Sequence, residues 1–489
     1  MLNSIDRAAH LSWIIRSSLL GETLGCLFGV RPFRRPLVVE VAVTKSSVPM
    51  RVVVLAQRVK AMVILLCGLV HPRAGFAEGC PTSDFVAVGA FGTGTNPVSL
   101  AVSDFNRDGR LDLAVVNQQS DDVSVLLGKG DGTFELAVSY PTGLYAQSVA
   151  VGDFNHDDQL DLAVANDFSP GTVAVLLGRG DGTFRDAVSY EAGNAPVGVV
   201  VADFNADHEL DLAVVNDAGV SMLLGNGDGT FQDPVGYGAG VLPLSLAAGD
   251  FNGDDKPDLV VANSGGVSVL LGRGNGTFED AVAYRAGRSS EVVAVGDFNV
   301  DHKLDLAVVN DIKLGTVSVL LGNGDGTFQP AVSSAAGAYP VSVVPGDFNG
   351  DGLPDLAVVN EDGVLIILGK GDGTFQQTLQ YAAGTNPISA ALGDFNGGEP
   401  DLAVVNYDIA GTVSVLLHTC PGPELAIARG GTAITLSWPL PSTGFILEST
   451  SNLAPNWQPT PEAAATNNGR WEVTVPIGEQ ERYFRLHKL

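Results

Sequence analysis

Aspartate and asparagine recur along this chain at a spacing that would wrap side-chain oxygens around a point. In Asp104-Phe-Asn106-Arg-Asp108-Gly109-Arg-Leu-Asp112, oxygen-bearing side chains occupy positions one, three, five and nine of a short loop. Five further copies keep all four: Asp153, Asn155, Asp157 and Asp161; Asp203, Asn205, Asp207 and Asp211; Asp250, Asn252, Asp254 and Asp258; Asp297, Asn299, Asp301 and Asp305; and Asp347, Asn349, Asp351 and Asp355. Three carboxylates crowded into one turn repel each other unless something compensates them. A hard cation that takes about six to eight oxygens, with a backbone carbonyl from position seven as a further ligand, fits the pattern, and calcium is that cation. Such clusters also occur as plain turns without metal, but six copies in register favour the ion.

Position six of the loop calls for a left-handed backbone. It is Gly in Gly109 and Gly352, and elsewhere Asp158, His208, Asp255 and His302, drawn from the few types that tolerate that conformation. A seventh copy, Asp394-Phe-Asn396-Gly-Gly398-Glu-Pro-Asp401, is one residue short and has Gly at the third ligand position. It is expected to be empty or weak.

The elements that position these loops are themselves repeated. The core Asp-Phe-Asn begins at Asp104, Asp153, Asp203, Asp250, Asp297, Asp347 and Asp394, at intervals of 49, 50, 47, 47, 50 and 47 residues. Each core is followed by an apolar run ending in Asn, such as Leu113 to Asn117, then a variable turn and a second run such as Val123 to Leu127. Next come Gly-x-Gly-x-Phe, as in Gly130 to Phe134, and an alternating segment such as Phe134 to Tyr140. Four short antiparallel strands per repeat match a propeller blade.

The array closes on itself. The seventh repeat stops after Val413 to Leu417 without a Gly-x-Gly-x-Phe strand, while Phe85 to Phe91 precedes the first core and belongs to no repeat. Gly94-Thr95-Asn96-Pro97 reproduces Gly384-Thr385-Asn386-Pro387, so the first strand reads as the missing last one. Pairing it onto the final blade removes an open sheet edge and makes a ring of seven.

The unit Gly-Asp-Phe-Asn-x-Asp-Gly-x-x-Asp-Leu-Ala-Val-Val-Asn resembles the FG-GAP/VCBS repeat of integrin α-subunit propellers and of many bacterial secreted proteins, over roughly Asp84 to His418. The resemblance implies an all-β, seven-bladed propeller closed by its N-terminal strand, with calcium loops on one face and partners on the other. The ligand face would then hold the turns Gln118 to Asp122, Asp167 to Gly171 and Asp311 to Gly315, with Tyr145, Phe168, Tyr339 and Tyr407 as aromatic candidates for sugar stacking or protein anchoring. Ordinary loop packing is the plainer reading of those rings.

Composition sets limits on partners. The formal net charge is −28, from 55 acidic and 27 basic residues, which disfavours nucleic acid because phosphate contacts need Lys and Arg. Arg51, Arg58 and Lys60 precede the apolar run Ala61 to Val70 and a Gly75-Phe76-Ala77 site, so residues 50–77 read as a signal peptide. The run is too short to span a bilayer. Residues 1–49 carry no repeat, and translation is expected to start at Met50. Export leaves Cys80 and Cys420 flanking the ring, and a disulfide between them is expected. Residues 423–489 hold further alternating runs, Ala433 to Trp438, Phe445 to Ser449, Trp471 to Val475 and Tyr483 to Leu486, which read as a small β-sandwich-like domain.

The function expected is a secreted or cell-surface binding or adhesion module for an extracellular protein or glycan, with calcium as its cofactor. The alternative is a secreted polysaccharide hydrolase or lyase on a propeller scaffold. No Gly-x-Ser-x-Gly, no His-Glu-x-x-His and no ionisable cluster breaking the repeat symmetry is present, so no catalytic residue is named. Of the His residues, His156, His208 and His302 lie inside the loops, where a turn role suffices.

Overall fold

The computed structural model describes residues 84–419 continuously, together with strands at 13–14, 38–42 and 51–55 and, beyond 425, at 426–430, 433–439, 445–450, 458–459, 465–467, 470–476 and 483–488. The signal-peptide reading, apart from residues 51–55, and the Cys80–Cys420 disulfide lie outside the described residues. All the regular structure described is strand.

Seven four-stranded antiparallel sheets follow one another from Asp84 to Thr419. Blade one runs Pro97–Ser103, Asp112–Asn117, Asp122–Leu126 and Val138–Pro141 in that spatial order. The protein is a seven-bladed β-propeller. In blade seven the order is Pro387–Gly393, Asp401–Asn406, Thr412–Thr419 and then Asp84–Gly92, whose register sets Phe91 opposite Val413 and Phe85 opposite His418.

Why the second strand is apolar throughout, rather than alternating, follows from its place. Every residue of Asp112–Asn117 is buried. Ala114 and Val116 pack with Leu162 and Val164 of blade two, while Leu113 and Val115 pack with Ala403 and Val405 of blade seven. Successive side chains point to opposite faces of a strand, and in a ring both faces meet a neighbour. The core is therefore a circle of inter-blade clusters, each buried aliphatic side chain contributing about 1.5–3 kcal/mol.

Aromatic rings mark every junction. The loop Phe of one blade stands edge-on to the Gly-x-Gly-x-Phe ring of the next: Phe105 on Phe184 at 5.7 Å, Phe154 on Phe231 at 5.4 Å, Phe204 on Phe278 at 5.8 Å, and so on around the ring. Beside them, Gly182 donates its N–H to Phe105 O at 3.1 Å and Gly229 to Phe154 O at 2.8 Å. The Asn ending each second strand is buried, and in blades two, three, four and six its amide clamps the connection from the preceding blade; Asn216 Nδ2 donates to Ala192 O at 2.9 Å and to Ser221 Oγ at 2.8 Å. Gly193, at φ 88°, gives that amide room, since a Cβ there would meet Asn216 Nδ2 at 2.6 Å.

Beyond the blades, Ala426–Gly430, Ala433–Pro439, Arg470–Pro476 and Ala465–Asn467 form a four-stranded sheet, and Gln458–Pro459, Phe445–Thr450 and Tyr483–Lys488 a three-stranded one. Positions 438 and 471 pair in register in the first, and Ile434, Leu436, Val473 and Val475 are buried there. A short sheet pairs Arg51–Leu55 with Trp13–Ile14 and Val38–Ala42. No helix among the described residues is long and apolar enough to cross a membrane.

Candidate metal loops

Each loop joins the first strand of a blade to the second, so the loops of all blades share one face. Within loop one, Asp104 Oδ1 accepts the Asp108 N–H at 3.2 Å and Asp104 Oδ2 the Gly109 N–H at 2.7 Å. Asn106 Oδ1 accepts the same Asp108 N–H at 3.0 Å, and Asp108 Oδ1 accepts from Arg110 N at 2.9 Å. Oxygens from positions one and three thus converge on a single peptide, with the position-five carboxylate turned over the next. Loops two to six repeat this: Asp203 accepts from Asp207 N and His208 N, Asn205 from Asp207 N, and Asp207 from Glu209 N.

The ninth position does something else. Asp112 sits at the start of the second strand, fully buried, with Oδ2 accepting from Phe105 N at 2.9 Å and Oδ1 from Gly128 N at 2.7 Å. Asp161, Asp211, Asp258, Asp305 and Asp355 bracket their blades in the same way. Burial pushes these carboxyls up to about 6, and that of Asp355 to about 7, against the two backbone donors that lower them; the charges at positions one and five add to the rise. In this conformation no group of three or more His, Cys, Asp or Glu among the described residues forms a set able to hold a metal ion. Each bracket oxygen accepts one N–H and keeps a further lone pair, so each loop offers the oxygens of Asp, Asn and Asp with the ninth Asp behind them. That donor chemistry, all oxygen and net anionic on a preformed turn, still fits a hard cation.

Loop seven differs. Asn396 Nδ2 donates to both oxygens of Asp401, at 3.2 and 3.1 Å, so its amide faces the bracket with a donor. Gly398 N–H donates to Asp394 Oδ1 at 2.7 Å, as Asp108 does to Asp104 in loop one, but brings no carboxylate.

A family profile for FG-GAP-like repeats matches in six overlapping windows, residues 104–164, 159–214, 203–261, 250–308, 297–358 and 347–404, more than half of the chain. The chain belongs to the FG-GAP-like repeat family. A search of curated proteins finds no match. Among solved structures, the chain is similar to an Agrocybe aegerita lectin described as recognising non-reducing terminal N-acetylglucosamine, at 18% identity and a TM-score of 0.43, over 70% of this chain and 89% of that one. It is also similar to a functionally unknown protein from Desulfotomaculum acetoxidans, at 14% identity and a TM-score of 0.45, over 65% and 91%.

Two features of these FG-GAP-like repeats escape a reading of the sequence. The left-handed backbone expected at position six is present, from φ 59° at Asp158 to 80° at Gly352, but position four is left-handed as well: Arg107 at 60°, His156 at 54°, Ala206 at 61° and Val300 at 58°. Arg107, Ala206 and Val300 give no sign of it; the signal lies in the other copies, Gly253 at 75° and Gly350 at 67°. The seventh side chain also has a fixed berth, lying across the second turn glycine of its own blade. A Cβ on Gly130 would stand 3.1 Å from Arg110 Cδ, and one on Gly274 2.7 Å from Lys256 Cδ.

Proposed function

We propose that this protein is a secreted or cell-surface propeller that binds calcium in six loops on one face and acts through the opposite face as a binding module for an extracellular protein or glycan. The observation that carries the reading is the sixfold repetition of an anionic, all-oxygen loop whose side chains are already wound over their own peptides. A cation there offsets the mutual repulsion of the carboxylates and the buried bracket behind them.

The opposite face supports a binding role. Its turns and connections expose Leu144, Tyr145, Phe168, Val241, Leu314, Tyr339 and Ile409, between 45% and 85% accessible, whereas Val300 is the one large exposed apolar side chain in the described loops. Tyr145 and Phe168 lie parallel, 7° apart with centroids separated by 6.5 Å. Exposed Val residues also line the outer strands, as at Val138, Val188 and Val235, but the exposed aromatic rings among the described residues, Tyr145, Phe168 and Tyr339, all lie in the turns of this face. The raised carboxyls repeat in register at the bracket position of six blades. These repeated acids are structural; Glu291, raised by burial and by the charge of Asp311, stands outside the repeat, so the polysaccharide assay below decides between binding and hydrolysis.

The test is the thermal midpoint of the purified chain in millimolar calcium and in chelator. A rise of several degrees with calcium is expected, since a ligand of the folded state alone stabilises it by linkage. No shift overturns the cofactor assignment. A glycan and protein array then addresses the ligand, and release of reducing ends from polysaccharides would overturn the binding reading.

A further inference from the structure

We infer that the six loops are two kinds of site, three of which carry a built-in cation that competes with calcium. This rests on the calcium reading above. In loops one, four and five the seventh residue is basic and its head reaches the position-five carboxylate: Arg110 Nη1 to Asp108 Oδ2 at 3.4 Å, Lys256 Nζ to Asp254 Oδ2 at 2.9 Å and Lys303 Nζ to Asp301 Oδ2 at 3.6 Å. In loops two, three and six the same position holds Gln159, Glu209 and Leu353.

These cations are aimed, not free-swinging. The stem of each is laid in the space left by a glycine of the following turn, with Lys303 Cδ at 2.9 Å from the Cβ that Gly324 lacks, as for Arg110 over Gly130 and Lys256 over Gly274. Gln159, Glu209 and Leu353 occupy the same berth over Gly180, Gly227 and Gly371. The position is thus structural in every blade, and only the charge it delivers differs. A long basic side chain held by its stem loses less freedom on pairing than an ordinary surface lysine.

In loops three and six the position-five carboxylate is met by the loop's own amide instead, Asn205 Nδ2 to Asp207 Oδ2 at 2.8 Å and Asn349 Nδ2 to Asp351 Oδ2 at 3.0 Å. That neutral group turns its oxygen inward when a cation arrives, whereas an ammonium or guanidinium has only donors and stays repelled. Glu209 pairs with His156 of the neighbouring loop, which offsets its charge, and so brings no cation to the position-five carboxylate of loop three. Loops two, three and six are therefore the tight sites, and loops one, four and five the weak ones. The pairs are half-exposed, with side chains between 35% and 51% accessible, so the separation expected is roughly tenfold in affinity.

Calorimetric titration of the full chain with calcium chloride tests this, with equilibrium dialysis to count bound ions. Two classes of site are expected in the native chain, merging into one tight class in the triple variant Arg110→Gln, Lys256→Gln, Lys303→Gln. Gln159→Lys, a single change at a surface position, should move one site from the tight class to the weak one, and it keeps the test open if the triple variant does not fold. A single class in the native chain, or two classes that persist in the triple variant, overturns this inference and leaves the calcium reading standing. No bound calcium by dialysis overturns both.

Discussion

The ring of Phe85, on the strand that closes blade seven, stands edge-on to that of Phe348 of blade six, 6.0 Å between centroids. Phe85 also meets Tyr381 at 5.3 Å and His418 at 5.0 Å. It takes the place that Phe134, Phe184 and their counterparts hold at the other junctions, but arrives from the far end of the sequence. Replacing it with Ala removes the buried one of the closing strand's two aromatic anchors and leaves Phe91, which stands 5.3 Å from Phe134. Phe85→Ala is expected to cost about 3 kcal/mol or more, read as a lowered urea midpoint, and a loss under about 1 kcal/mol would mean the strand closes the ring by backbone pairing and Phe91.

Asp258 accepts Phe251 N at 2.9 Å and Gly272 N at 2.7 Å from full burial. Asp258→Ala strands both donors inside the blade, where each unmade bond costs about 1–3 kcal/mol. A loss of about 3 kcal/mol in chemical denaturation is expected, present in chelator as well as in calcium, because the bracket works without metal.

Val300 is β-branched, exposed and left-handed at φ 58°. Only glycine adopts that conformation without steric cost. Val300→Gly is therefore expected to stabilise the protein by about 0.5–1 kcal/mol, net of the added freedom of the unfolded chain. A lowered thermal midpoint would show that the valine side chain makes contacts worth more than its strain.

Stability in chelator is expected to fall as pH rises from about 4.5 to 7. The bracket carboxyls hold their protons up to about 6 or 7 when folded, against 3.8 as the ordinary value, so the folded state binds more protons across that window. Their contribution is full below the ordinary value and is lost as pH climbs through the raised one. Calcium should flatten the decline by offsetting the charge that appears. Scanning calorimetry at stepped pH decides it, and a midpoint rising with pH in chelator would overturn the assignment.

Repeat period, blade count, loop positions one, three, five and six, and the swapped strand were all legible in the sequence, because each is a pattern of residue types in register. Position nine was legible as an acid but not as a bracket: nothing local says that Asp112 reaches Phe105 on one side and Gly128 on the other. The role of Arg110 depends on a glycine 20 residues later coming to lie under it, a proximity created by the blade. The Asn at each strand end stood out as a repeat, yet its clamp on the preceding blade, as in Asn263 to Ala239 O at 3.1 Å, exists only once two blades are side by side.

The swapped strand also sets an order of events during synthesis. Thr419 Oγ1 donates to Asp84 O across 335 residues of chain, so Asp84–Gly92 emerges first and waits for its partner until every other blade has been made. Local hairpins let each blade assemble as it appears, but the ring itself is a contact of the longest possible range, slow to form and exposed until it does. A nascent propeller of this kind is an open arc with an apolar strand at one end and an incomplete sheet at the other, and a chain truncated before Thr412 would remain one.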